Sequence, residues 1–386
     1  MKKIIPHLIA VALFAIIAIA FFYPVLQGKA IWQSDIVQYT GMAQERNDYR
    51  LSDNKELYWT NSAFGGMPTY QLGANYPYDF IKQVDRTLRF LPRPADYLFL
   101  YFIGFYLLLS VFKVDTRNAF LGAIAFGLST YLIIILGVGH NAKAHSIAYF
   151  APVLAGILLV FQRKYLVGGI LTAFALALQL CANHFQMTYY LLLLVLLLGA
   201  GYLYQAIKQK QLKNFLKAMG VLIGAAFIAV LSNATLLLAT REYADWSTRS
   251  KSTLTTATTT IEASGLSKDY ITEYSYGITE SLNLIVPRLF GGSNHEALGE
   301  KSNTYQYLAS QGYGGAEALN FANSLPTYWG DQPIVAAPAY IGIVVFFFFV
   351  LALFVVRNKL KWWLIAGIRC HSCHSRYSDV FATLVG

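Results

Sequence analysis

The sequence predicts an all-α integral membrane protein, a polytopic bundle of helices with two large outer loops. Three observations carry this. Hydrophobic residues make up 56% of the 386 positions and charged ones only 13%. Apolar runs of roughly 17 to 25 residues recur, each able to cross a hydrocarbon core about 30 Å thick. None of these runs alternates with period two, and lipid offers no partners to open backbone, so helices rather than a barrel are expected.

The apolar runs place helices at about 4–26, 95–112, 118–137, 146–162, 165–182, 186–207, 217–240 and 335–356, with a ninth beginning near Lys361. Met1-Lys2-Lys3 and the first run resemble a signal peptide. Phe21-Phe22-Tyr23-Pro24 is bulky where a peptidase needs small residues, so an uncleaved first helix is expected. Lys2, Lys3, Lys113, Arg117, Arg163, Lys164, Lys208, Lys210, Lys213, Lys217, Arg357, Lys359 and Lys361 fall on one side of this arrangement. The short loops of the other side carry only Lys143. Basic residues stay on the cytoplasmic side, so the N-terminus is expected there. Segments 28–94 and 241–334 then form the outer loops.

The formal net charge of +10 is explained by these flanking residues and does not point to nucleic acid. No phosphate-binding G-x-x-x-x-G-K-[ST] or dinucleotide G-x-G-x-x-G pattern is present, which argues against an ATP-driven pump or a dinucleotide enzyme. No helix shows the arginine ladder of a voltage sensor. Cys370-His371-Ser372-Cys373-His374 fits the haem c attachment pattern, but the run from Lys361 to Ile368 is too short to bring it back outside. Residues 369–386 read as an atypical tail, truncated or frame-shifted relative to the transmembrane part, 1–368.

Residues 28–94 are dense in aromatics, as suits the headgroup layer, and 33–50 can form an interfacial helix. Arg86, Arg89 and Arg93 read as interfacial anchors or lipid-phosphate contacts. Residues 247–260 are rich in Ser and Thr and read as a loop.

Asp35 is the first carboxylate and follows the first apolar run directly. An acid there can be a general base, a metal ligand or a helix-starting residue. In Gly139-His140-Asn141-Ala142-Lys143-Ala144-His145, Lys143 and the two histidines can neutralise a phosphate or simply form a hydrated turn. Asn183-His184-Phe185-Gln186 is polar and confined by apolar runs, so His184 and Gln186 either line a cavity or satisfy a turn. Asp331 lies in Tyr328-Trp329-Gly330-Asp331, a composition shared by sugar-binding surfaces and ordinary ordered loops.

Trp32-Gln33-Ser34-Asp35, Trp59 through Gly66-Met67-Pro68-Thr69-Tyr70, Gly139 to Lys143, Asn183 to Tyr190 and Tyr328 to Pro333 together resemble the YfhO family of bacterial membrane proteins. That resemblance implies a GT-C type glycosyltransferase fold, in which the catalytic acid lies just after the first helix. It implies a polyprenyl-phosphate-linked sugar as donor and a cell-envelope glycopolymer or lipid as acceptor, at the outer face of the bacterial cytoplasmic membrane. Asp35 would be the base. His140, Lys143, His145, His184, Gln186 and Asp331 would bind substrate or the donor phosphate. Ile36 stands where the class often has a second acid, which argues against a metal. No cofactor is therefore expected, although a divalent ion remains compatible with the class. The alternative is a non-enzymatic transporter or flippase of a lipid-linked precursor, using the same cavity without a base.

Overall fold

The computed structural model describes residues 4–247, 272–273, 275–294, 296–332 and 339–357. It is mostly helical, with one two-stranded sheet among the described residues. Among the described residues, three helices are long and apolar enough to cross a membrane, or four if one bent pair counts as a single span. The chain divides into two compact units: 1–128 with 135–252, and 129–134 with 253–386.

The first unit begins with α1 (Ile5–Phe21), which stops short of the expected boundary at 26. Pro24 lacks the N–H that a continuing helix needs, and the chain tightens into a 3-10 turn over Tyr23–Gln27. Residues 33–53 then form α2 (Ser34–Met42) and α3 (Gln44–Asp53), two helices where one was expected. β1 (Trp59–Thr60) pairs antiparallel with β2 (Met67–Pro68). Glu45 holds the turn between them, accepting from Thr60 Oγ1 at 2.5 Å, Asn61 N at 2.9 Å and Ser62 N at 3.1 Å. Ala43, Ala63, Met67 and Leu72 close a small core beneath it.

α4 (Phe80–Leu88) starts at Asp79, whose carboxylate caps Lys82 N at 3.0 Å. α5 (Ala95–Val111) and α6 (Thr116–Gly127) follow. Phe14 of α1 is fully buried and stacks on Phe102 of α5 and Phe120 of α6. The run expected over 118–137 breaks into α6 and α7 (Thr130–Val138), bent by 47°. Ser129 and Thr130 lie at the break, where hydroxyls compete with helical backbone bonds.

α8 (Asn141–Ala148) and α9 (Phe150–Phe161) form one apolar segment of 21 residues. α10 (Tyr165–Cys181), α11 (Phe185–Lys208) and α12 (Leu212–Ser232) complete the bundle, with Val153, Ile157, Ala175, Leu191, Ala218 and Leu222 in one core. The run expected at 217–240 also breaks, into α12 and α13 (Ala234–Ala244). The buried Asn233 between them donates to Ala177 O and Ala229 O, each at 3.0 Å, and so diverts backbone acceptors.

The second unit holds a 3-10 turn over Glu280–Leu284, then α14 (Asn303–Ser310), α15 (Gly315–Ser324) and α16 (Ile343–Val355). α16 begins at Ile343, after Gly342 with φ 97°, and the expected start at 335 lies outside the described residues. The Ser/Thr-rich stretch beyond Ser247, the ninth run and the cysteine–histidine tail lie outside the described residues.

α9 and α10 pack most closely, through two glycines. A Cβ on Gly168 would lie 2.6 Å from Val160 N, and one on Gly156 2.5 Å from Thr172 Oγ1. Gly168→Val should therefore force these helices apart and destabilise the bundle by about 1–3 kcal/mol. Thermal unfolding in detergent checks this, and an unchanged midpoint would contradict the close approach.

Candidate functional site

Two polar clusters meet on α8. The outer one begins with Gln33, whose side-chain Nε2 donates to Leu136 O of α7 at 2.5 Å. This tethers the start of α2 to the end of α7. Gly139 has φ 93°, and a Cβ there would meet Gln33 Cβ at 2.9 Å and Ile36 Cγ1 at 3.3 Å. Only glycine lets α2 sit this close to the α7–α8 turn while taking that backbone conformation.

The tether places Asp35, in the first turn of α2, beside His140 at the start of α8. His140 Nε2 lies 3.2 Å from Asp35 Oδ2, and both side chains remain about half exposed, 42% and 49%. Burial and then the nearby Lys143 charge push the His140 pKa below its ordinary value, against the opposing pull of Asp35. Lys143 follows three residues on, so the same side of the turn gathers an acid, an imidazole and an ammonium.

His184 caps α11, accepting from Met187 N at 3.4 Å. Its pKa is also lowered, first by burial and then by the charge of Lys143. Asp35, His140, Lys143 and His184 thus share one electrostatic neighbourhood. Gln186 lies two residues further on, exposed, with its amide donating to Tyr190 OH at 3.0 Å. Asp331 belongs to the second unit and is exposed there beside Gly277.

His145 does not join this cluster. It is buried on another side of α8, with Nε2 at 2.5 Å from Asp85 Oδ1. The inner cluster around Asp85 was not anticipated. Asp85 is 1% exposed and also accepts from Tyr149 OH at 2.9 Å and from Arg89 Nε and Nη2 at 2.9 and 2.6 Å. Arg89 extends to Asp96, 3.6 Å away, and Arg93 reaches the same carboxylate at 3.8 Å. Both guanidinium groups lie over the Tyr97 ring. The expected anchor Arg89 is therefore committed within the protein.

Beside His145, Ser146 receives a hydrogen bond from Gln179 Nε2 at 2.6 Å. The same amide donates to Thr188 Oγ1 at 2.9 Å. Gln179 has no exposed surface, and it links α10 to both α8 and α11. Adjacent residues of α8 thus face inward as anchors, while His140 and Lys143 present the outer cluster. Among the described residues no group of three His, Cys, Asp or Glu side chains is arranged to hold a metal ion.

Burial alone would raise the Asp85 pKa, but the His145 bond and the Arg89 fork outweigh it and hold the carboxyl at about 2, below its ordinary 3.8. A depressed carboxyl contributes stability above its unfolded pKa and loses it as the pH falls through the folded value. Asp85→Ala should destabilise the protein by about 3–5 kcal/mol at neutral pH, because it strands Arg89 and His145. It should also flatten the loss of stability between about pH 4 and pH 2. Thermal unfolding as a function of pH measures both effects. Compared with family models, curated proteins and solved structures, the chain matches none.

Proposed function

We propose that this protein is a membrane glycosyltransferase of GT-C type. In this reading it moves a sugar from a polyprenyl-phosphate donor to a cell-envelope acceptor at the outer face of a bacterial cytoplasmic membrane, with its N-terminus cytoplasmic. The observation that carries the proposal is the half-exposed Asp35–His140 contact of 3.2 Å, with Lys143 three residues on.

The chemistry follows from the charges. Asp35 takes the proton from an acceptor hydroxyl as the oxygen attacks the anomeric carbon. The bond from that carbon to the phosphate oxygen breaks, and the phosphate leaves with the electron pair. Lys143 faces the charge that develops on it. Direct displacement inverts the anomeric centre. His140, with its lowered pKa, is mostly neutral at pH 7, so it orients Asp35 without neutralising it. His184 and Gln186 contribute polar lining near the start of α11. No residue of the second unit and no metal is needed for this step.

Membranes carrying the wild type should release sugar from one member of a synthetic polyprenyl-phosphate hexose panel. Asp35→Asn should reduce transfer by about 10²-fold or more while leaving donor binding within a few fold. Lys143→Gln should weaken both donor binding and turnover. Transfer should decline as the pH drops below the ordinary histidine value of 6.5, as His140 takes up a proton. Movement of the lipid-linked sugar with no transfer, and no effect of Asp35→Asn, would favour a flippase instead.

A further inference from the structure

The second unit fixes an exposed tryptophan on both sides without covering it. Segment 327–332 is held on one side by the turn at 290–293. Thr327 N donates to Ser293 O at 2.9 Å, Gly292 N to Thr327 O at 3.1 Å, and Trp329 N to Phe290 O at 3.1 Å. On the other side lies Glu280, 1% exposed. Its carboxylate accepts from Tyr328 OH at 2.6 Å, from Gln332 N at 3.2 Å and from Gly277 N.

Two glycines exist because the segment is packed this tightly. A Cβ on Gly330 would lie 1.7 Å from Glu280 Oε1. Gly291 has φ 88°, and a Cβ there would lie 2.7 Å from Cδ1 and Nε1 of Trp329. The pyrrole side of the indole therefore rests on bare backbone. The remainder faces outward, and Trp329 is 76% exposed.

A fully anchored backbone that leaves its largest apolar side chain in the open is arranged for a partner, since an indole gains most from burial. The neighbours define that partner. Asp331 is exposed, and its Oδ2 and Glu280 Oε2 would lie 2.7 and 2.9 Å from a Cβ on Gly277. Of the nearby cations, Arg288 is already committed to Glu296, at 2.7 and 2.9 Å. Among the described residues this setting is acidic, so it disfavours phosphate, whether of a lipid headgroup or a nucleotide, and offers acceptors to neutral hydroxyl donors.

We propose that Trp329 and Asp331 form a binding platform for a neutral glycan. A pyranose stacks its C–H face on the indole, and its hydroxyls donate to the Asp331 carboxylate. Glu280 positions the platform from beneath. The platform does not rest on the transferase reading, since binding needs no base at Asp35. Where both hold, the glycan is the acceptor class.

The test uses the full chain in nanodiscs of zwitterionic lipid, titrated with uncharged gluco-, manno- and N-acetylglucosamine oligosaccharides and read by calorimetry. At least one should bind. Trp329→Ala should weaken it about tenfold or more, whereas Trp329→Phe should retain most of the affinity, because a ring face remains. Asp331→Asn should weaken binding several fold without altering thermal unfolding. Binding is read with no donor and no turnover, so failure here is distinct from failure of the transferase reading. Absence of binding to every oligosaccharide, or affinity indifferent to Trp329→Ala, would overturn the platform. So would quenching by brominated lipid of the fluorescence that Trp329→Phe removes, because the indole would then be a membrane anchor.

Discussion

The arrangement of the first unit depends on how one buried carboxylate is satisfied. Asp85 is closed off from water, and an ion in that position is stable only when its oxygens are saturated. It receives His145 and Tyr149 from the α8–α9 segment and Arg89 from the end of its own helix, and Arg89 leads on to Asp96 of α5. Three stretches far apart in sequence are thereby fixed at one point. Removing any donor leaves a charge or hydroxyl stranded, so the group behaves as a unit rather than as separable pairs. The amphipathic α4 is consequently part of the bundle rather than a lid resting on it.

That inner fixation gives the outer cluster its geometry. His145 and Ser146 are held from inside by Asp85 and Gln179, which sets the rotation of α8 about its own axis. The rotation in turn decides where His140 and Lys143 point. Gln179 binds Thr188 with the same amide and so sets the start of α11, where His184 caps the helix. Asp35 arrives from a third direction, tethered by Gln33 on Leu136 O. The exposed groups can therefore hold a defined separation although each lies at the end of an element. Precise placement of polar groups is what acid–base and phosphate chemistry require, and rigid support from behind supplies it.

The sequence made part of this visible. Asp35 stood out as the first acid after an apolar run and Lys143 as the lone cation of the short outer loops, and the structure places them near each other. It separates the two histidines that the sequence had grouped. Residues five apart on a helix differ by about 140° around its axis, so His140 and His145 cannot share one side. That spacing was legible in advance and could have divided them. The Asp85–His145 contact was not, since it joins residues 60 apart whose own neighbourhoods look ordinary. Asp85 with Arg89 reads as a common i, i+4 surface pair, and only tertiary packing turns it into a buried one. The helix breaks at Ser129 and Asn233 were likewise hidden, because hydropathy sums over single polar residues whose hydrogen bonds decide whether a helix continues.

The second unit meets the same constraint with the opposite outcome. Glu280 is as buried as Asp85 and is also saturated, but by a hydroxyl and backbone N–H groups rather than by cations. A carboxylate satisfied by neutral donors keeps its negative charge uncompensated, and the field around it stays acidic. In the first unit, the Arg89 guanidinium offsets Asp85, and the half-buried Lys143 belongs to the same α8 as His145. In the second, Arg288 is taken by Glu296, and among the described residues Asp331 is exposed beside a Glu280 held by no cation. Two buried acids of similar exposure thus create surroundings of different sign. The one with a cation at its edge suits an anionic leaving group. The other, with an indole and an exposed carboxylate, suits uncharged hydroxyls. Each surface is argued from its own unit, so the two proposals stand or fall separately.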